Sequence, residues 1–375
     1  MEGSAPRPLL PEAQDKACRI LRTARETALR APPLPPQIPG RTFLFRIMLW
    51  LAFAPSALAA SPLAAGYPTR AISLAVPFTA DDQASPLADL IQSALETASG
   101  RQLTLLRLPG RGGGYALRAI MGQPPDGHFL ALFSLPSLLT QALPANSLYS
   151  LNNITPVAVF AHVPTALWVK EDSSLSDLKD LVSLARSLEV SGPDAPRLPA
   201  SEARPEDAPL PASGSGSYSD AHIASLLLAR AAGIRISYLP FLSTAKAAEA
   251  VSKGDAAIFL GPALPSPPLP GLRPLAVASE NRLPLLPHTP TFRELGLEVI
   301  SGQDFGLAMP AGADPGVISL IAAFLARLPE NTGSALQNLG YTPVLLPPSE
   351  LSAILARKKE ELNVFLQDYD LFSDR

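Results

Sequence analysis

Residues 70–108 read RAISLAVPFTADDQASPLADLIQSALETASGRQLTLLRL, and the two periods inside that stretch decide the fold class. Ile72, Leu74, Val76 and Phe78 alternate at period two, which predicts a strand. Leu87, Leu90, Ile91, Ala94, Leu95 and Ala98 then recur at helical spacing. Ser85-Pro86 supplies an expected N-cap with proline at the first helical position, and Gly100 follows the last turn. At 103–108 the chain returns to a strand. Strand, helix and strand in so short a span form a βαβ unit, which requires a parallel sheet.

The alternation continues outward. A helix is predicted at 113–122, a turn at Pro125-Asp126-Gly127 and a strand at 129–134. A second series follows: strand 165–169, helices 175–188 and 221–232, strand 234–239, helix 244–253 and strands 256–260 and 272–278. A returning strand at 304–309 and helices near 317–328 and 349–367 complete the pattern. Residues 189–212, rich in Pro, Ala, Asp and Glu without an apolar period, read as a solvated insertion. The five prolines in 262–270 predict an extended connector between two strands.

Composition narrows the function. The chain has 375 residues, enough for two α/β units. Its hydrophobic content of 47% excludes a disordered chain, and no apolar run reaches the roughly 20 residues of a membrane span. Lys and Arg number 30 against 33 Asp and Glu, so no basic excess exists to neutralise the phosphates of a nucleic acid. One cysteine, Cys18, excludes a disulfide framework and a Cys-rich zinc site.

The first 60 residues are expected to be an N-terminal extension and a signal peptide. Arg41 and Arg46 precede the apolar stretch 47–54, then Pro55-Ser56 and the small-residue pattern Ala57-Leu58-Ala59. That is the three-part layout of an export signal, with cleavage expected near Ala59 or Ala60. The long segment ahead of it suggests that translation starts downstream of Met1. The leader carries eight basic and four acidic residues, so the mature chain has a net charge of −7 and no thiol, as suits an oxidising compartment.

Several short segments resemble the Bug family, the extracytoplasmic solute receptors of tripartite tricarboxylate transporters. They are Tyr67-Pro68-Thr69-Arg70 leading to Val76-Pro77-Phe78, then Leu108-Pro109-Gly110-Arg111-Gly112-Gly113, Pro125-Asp126-Gly127 and Gly214-Ser215-Gly216 before His222. Leu283-Pro284 to Pro290-Thr291-Phe292 and Phe305-Gly306-Leu307 to Pro310-Ala311-Gly312 follow in the family's order. The resemblance implies a type II periplasmic-binding-protein-like α/β fold, two lobes of mostly parallel sheet flanked by helices and joined by a two-strand hinge. Lobe one would comprise 66–162 plus 306–375 and lobe two 163–305, with hinge strands near 164–169 and 304–309. It also implies a monomer without cofactor, metal or catalytic residues that binds a small organic solute and delivers it to membrane permease subunits.

The resemblance places ligand contacts in the strand-end loops. After the first strand the family carries a Gly-Gly pair and, three residues on, an aspartate. Here Phe78 and Thr79 lead into Ala80-Asp81-Asp82-Gln83-Ala84-Ser85, so Asp81 and Asp82 replace the glycines and Ser85 the aspartate. A solute carboxylate about 4 to 6 Å from an aspartate meets roughly 3 to 4 kcal/mol of repulsion at an effective dielectric near 20. A helix N-terminus returns only about 0.3 to 2 kcal/mol. Arg111, between Gly110 and Gly112, is the expected neutraliser, which favours a zwitterionic, amide-bearing or cationic solute over a simple dicarboxylate. The remaining candidates are Gly112, Gly113, Ser134, Ser137, Ser217, Ser219, His222, Phe241 and Ser243. Counting from His222 places Ser219, rather than Ser217, on the family's ligand-binding hydroxyl, while His222 itself is expected to cap or pack against its helix.

Two other readings compete. Ser217, Asp220 and His222 contain the residue types of a serine hydrolase, but the Gly-x-Ser-x-Gly elbow between strand and helix is missing. Gly110, Gly112 and Gly113 make half a dinucleotide fingerprint whose closing glycine is Tyr115, and His128, His162, His222 and His288 never reach metal-ligand spacing. A receptor that signals to a membrane sensor instead of feeding a permease uses the same closure and is not separated by sequence.

Overall fold

The computed structural model describes residues 66–143, 147–189, 209–264 and 269–367. The expected signal peptide and most of the expected insertion, 190–208, lie outside the described residues. The first βαβ unit forms as the periods require: β1 (Ile72–Val76), α1 (Ser85–Ser99) and β2 (Leu103–Arg107), with β1 and β2 parallel. Gly100 takes φ 65° and returns its N–H to the Glu96 carbonyl, the left-handed stop that glycine permits without strain. The N-terminal cap differs from expectation. Ser85 lies inside the helix, Ala84 occupies the cap, and the Asp82 carboxylate accepts the Ala84 N–H at 2.9 Å.

A 3-10 turn at Arg111–Gly113 leads into α2 (Gly114–Ala119), followed by β3 (Phe129–Leu135) and the short α3 (Ser137–Thr140). β4 (Ile154–Lys170) is 17 residues long, where the sequence predicted only its last third. Pro156 and Pro164 interrupt the strand signal, and the chain accommodates the first at a register shift against β9. Next come α4 (Leu178–Glu189), β5 (Leu210–Ser215), α5 (Asp220–Ala232), β6 (Ile236–Phe241), α6 (Thr244–Lys253), β7 (Ile258–Pro262) and β8 (Leu272–Val277). The chain closes with β9 (Gly302–Pro310), α7 (Pro315–Ala326), α8 (Leu328–Asn338), β10 (Thr342–Leu346) and α9 (Pro348–Gln367).

Two boundaries are corrected. The insertion expected to run to Ala212 ends earlier, because Leu210–Ser215 is a strand paired parallel to both β6 and β7, with Leu210 and Ala212 fully buried. The proline-rich connector is not wholly extended linker: Pro262 ends β7, and Leu264 is buried in the core beneath β1 and β9. The sequence also missed α8 and β10. Thr342–Leu346 is exposed or half-buried, so it carries no strong alternation to read.

Strand order is β2-β1-β3-β9-β4-β7-β5-β6, with β10 and β8 each pairing β4. β4 serves two groups of partners. Its first part, from Ile154 to Pro164, pairs antiparallel with β9, and from Thr165 onward it pairs with β7 and β8. Alternate residues in each half of the sheet enter different cores. Leu130 and Leu132 join one cluster while Ala131 and Phe133 join another. Leu167 and Val169 likewise part from Ala166 and Trp168. Both faces of both halves are thus covered by helices, as buried parallel strands need.

Candidate functional site

The C-terminal ends of β1, β2, β3, β5, β6 and β7 turn toward one cavity. Open parallel sheets leave their ligand crevice there, because each strand hands over to a loop and then to a helix N-terminus. Loops of the two sheet halves meet around it. Gly112 takes φ 56°, and a Cβ on it would lie 2.3 Å from Gln141 Nε2 and 3.1 Å from the Ser217 carbonyl. A Cβ on Gly216 would lie 2.9 Å from the Gly112 nitrogen. Two glycines therefore permit a backbone-to-backbone approach that any side chain would block. Gln141 Nε2 donates to the Ser217 carbonyl at 2.5 Å, and the Thr140 hydroxyl donates to the Tyr218 carbonyl.

Of the residues expected from the sequence, Phe78, Asp82, Gly112, Gly113, Ser134, Ser219 and Phe241 line the cavity, as does Ser137. Thr79, Asp81, Ser85, Arg111, Ser217, His222 and Ser243 do not. Arg111 and Ser217 are exposed. Ser85 and Ser243 are buried at the starts of α1 and α6, where Ser243 Oγ accepts the Lys246 N–H at 3.3 Å. Thr79 is half-buried. Of the two serines weighed by counting from His222, Ser219 lines the cavity and Ser217 does not.

The two acids of the first loop have different fates. Asp81 is exposed; Glu249 is the main cause that raises the pKa of Lys246 on α6, and the Asp81 charge adds to it. Asp82 is buried, its Oδ1 accepting the Ala84 N–H at 2.9 Å and its Oδ2 the Thr244 N–H at 3.0 Å. The Gln83 N–H is given to the Thr244 hydroxyl at 3.1 Å. This loop is therefore tied to the N-terminus of α6, 162 residues away, where a carboxylate complements the helix dipole. Burial pushes the Asp82 pKa up and the neighbouring Asp81 adds to this, while the amides of Ala84 and Thr244 pull it down. Arg111 is not among the groups that shift it.

The sequence weighed Asp220 only as a hydrolase triad type, yet it is the second acid of the cavity. It opens α5 directly after the cap residue Ser219, whose hydroxyl accepts the His222 N–H at 3.3 Å and donates to the Gly216 carbonyl at 2.9 Å. Asp220 is 3% exposed, and Oδ2 has no hydrogen-bond partner. Burial pushes its pKa up to about 6; hydrogen bonding from Gln303 and its own N–H opposes this, and the Asp82 charge reinforces it. Gln303, Thr244, Ser215 and Gly216 also line the cavity without having been singled out. Gln303 sits one residue before the returning strand predicted from the sequence, so only pairing of β9 with β4 brings it into view.

His222 belongs to the supporting wall. Its ring stacks on Tyr238 with centroids 4.3 Å apart, and Nδ1 accepts the Tyr218 N–H at 3.1 Å. Burial pushes its pKa down to about 4, which makes it a neutral acceptor at physiological pH. No group of three or more His, Cys, Asp or Glu suited to a metal occurs among the described residues, and no described helix is long and apolar enough to cross a membrane.

No family model matches the chain. Protein BugT of Bordetella pertussis is 25% identical over 318 residues, spanning 82% of this chain and 92% of that protein. A UPF0065 protein of Cupriavidus necator is 25% identical over 286 residues, 74% of this chain and 81% of its own length. Among solved structures, the periplasmic binding protein BugD superposes with TM-score 0.68 at 19% identity, covering 80% of this chain and 98% of that one. An adipate complex from R. palustris gives TM-score 0.69 at 23% identity, covering 80% and 97%. The chain is thus similar in sequence to BugT and shares the periplasmic-binding-protein fold of BugD.

Proposed function

We propose that the cavity is the solute site of a monomeric extracytoplasmic receptor that captures a small organic solute between two lobes and hands it to a membrane permease of the tripartite tricarboxylate type. One observation carries this reading: loops from both sheet halves converge on one cavity at the carboxyl ends of the parallel strands. The lobes are 66–162 with 306–375, and 163–305. β4 and β9 run between them as the hinge, with Pro164 opposite Gly302 in the ladder. Phe78 and Phe241 offer apolar walls; Ser134, Ser137 and the amides of Gly112 and Gly113 offer polar contacts.

The charge of the lining argues for a solute that is not a simple dicarboxylate. Asp82 and Asp220 line the cavity, and among the described residues no Lys, Arg or His does. A second carboxylate about 4 to 6 Å from either would meet roughly 3 to 4 kcal/mol of repulsion at an effective dielectric near 20. A zwitterionic or amide-bearing solute avoids that cost. Native mass spectrometry of the exported protein, followed by thermal-shift screening of carboxylates, amino acids and amides, tests the reading. Retention of one small solute and a dose-dependent shift are expected. A protein that is recovered empty and shifts with none of them, or that turns one of them over, would defeat it.

A further inference from the structure

We propose that Asp220 is the counter-ion for an ammonium group of the solute, so that the cavity selects small organic solutes bearing an N–H-carrying primary or secondary ammonium. The inference rests on the reading of this cavity as the solute site and names the chemistry that site accepts.

The two acids of the lining are not equivalent. Both oxygens of Asp82 are occupied by backbone amides of Ala84 and Thr244, so its hydrogen-bonding is spent on joining the first loop to α6. Asp220 lines the same cavity and is buried, but its Oδ2 receives no hydrogen bond. A buried carboxylate oxygen without a donor weakens a fold, and an apolar or amide residue of similar size would hold the start of α5 at less cost. A buried acid in the cavity wall with an oxygen left without a donor points to a donor that arrives from outside. The donor must also bring positive charge, because Asp82 acts on Asp220 electrostatically and, among the described residues, no Lys, Arg or His lines the cavity.

An ammonium with at least one N–H satisfies both demands. A neutral amide supplies the hydrogen bond without the charge. A quaternary ammonium supplies the charge without the hydrogen bond. A carboxylate supplies neither. The hydroxyls of Ser134 and Ser137 and the amides of Gly112 and Gly113 remain for whatever polar group the rest of the solute carries.

The test uses the exported protein, unfolded and refolded to remove any co-purified solute, and isothermal titration with three probe sets. Ethanolamine, glycine and 4-aminobutyrate carry N–H ammonium groups; choline and glycine betaine are the quaternary counterparts of the first two; succinate and malate are the carboxylates. The expected result is binding confined to the first set, with affinity falling about 10- to 100-fold in Asp220→Asn, the usual worth of a hydrogen bond to a charged group. Asp220→Ser serves as a second variant should the first fail to fold, and circular dichroism confirms the fold of each. Binding of succinate or malate that is unchanged or improved by Asp220→Asn overturns the inference and leaves the solute site standing. Equal binding of quaternary and N–H probes also overturns it. Failure of all three sets to bind, together with an empty native mass spectrum, overturns the solute reading and the inference with it.

Discussion

Asp220→Asn is expected to make the ligand-free protein more stable at neutral pH while weakening its function. Burial raises the Asp220 pKa from 3.8 to about 6. A gap of about two units corresponds to roughly 3 kcal/mol, at 1.36 kcal/mol per unit. The folded chain holds this proton to higher pH than the unfolded chain, so stability falls as pH rises from about 4 through about 6, and the full cost stands at pH 7.5. Asparagine does not titrate and can keep a hydrogen bond to Gln303. The variant should therefore gain up to about 3 kcal/mol, or about 5 °C in Tm for a domain of this size. His222 acts in the opposite sense over the same range. Its pKa is lowered from 6.5 to about 4, so its contribution is present above pH 6.5 and is lost as pH falls toward 4. In the parent protein the two effects oppose one another between about pH 4 and 6 and flatten the profile. His222 is common to both proteins and cancels from their difference, so the variant's advantage should shrink on acidification, as the parent's Asp220 takes up its proton, and vanish near pH 4. Calorimetry of both proteins, solute-free, at pH 7.5, 5.5 and 4 measures this directly. A variant less stable than the parent at pH 7.5, or a difference that does not change with pH, would show that Asp220 is satisfied within the fold and refute the reasoning.

Other expected outcomes follow from the same geometry. Asp82→Ala strips the acceptor from the buried Ala84 and Thr244 amides and should cost about 2 to 4 kcal/mol in urea unfolding; a loss under about 0.5 kcal/mol would show that the tie to α6 is dispensable. Gly216→Ala should cost about 1 to 3 kcal/mol more than Gly122→Ala, since both have positive φ but only Gly216 faces a Cβ contact, 2.9 Å from Gly112; equal losses would mean the close approach is unimportant. His222→Phe keeps a ring against Tyr238 but loses the acceptor for the Tyr218 N–H, so about 1 kcal/mol should be lost at pH 7.5 and the acid-induced decline below pH 6.5 should flatten. Calorimetry across pH 4 to 7.5 reads both effects, and an unaltered acid limb would assign that decline to another group.

The sequence by itself determined the local elements. Period two at Ile72 to Val76, period 3.6 at Leu87 to Leu95 and glycine after Ser99 specify strand, helix and stop through contacts within a few residues, and the alternation of such units requires a parallel sheet. The crevice at the strand ends followed from that, whereas Phe78, Asp82, Gly112, Gly113, Ser134, Ser219 and Phe241, which line the cavity, were expected from the family resemblance. Tertiary structure alone decided partnership. β4 was hidden because prolines mask a strand whose length is set by partners on either side, and β10 because an exposed strand has little alternation. Asp81 and Asp82 read alike in sequence, yet one faces solvent and the other is tied to an amide 162 residues away. Asp220 and Gln303 are brought together only by the meeting of α5 with β9. Side-chain periodicity is a short-range property, whereas the electrostatics of a buried acid depend on which distant donors the fold brings within about 3 Å of it, and on which it leaves out.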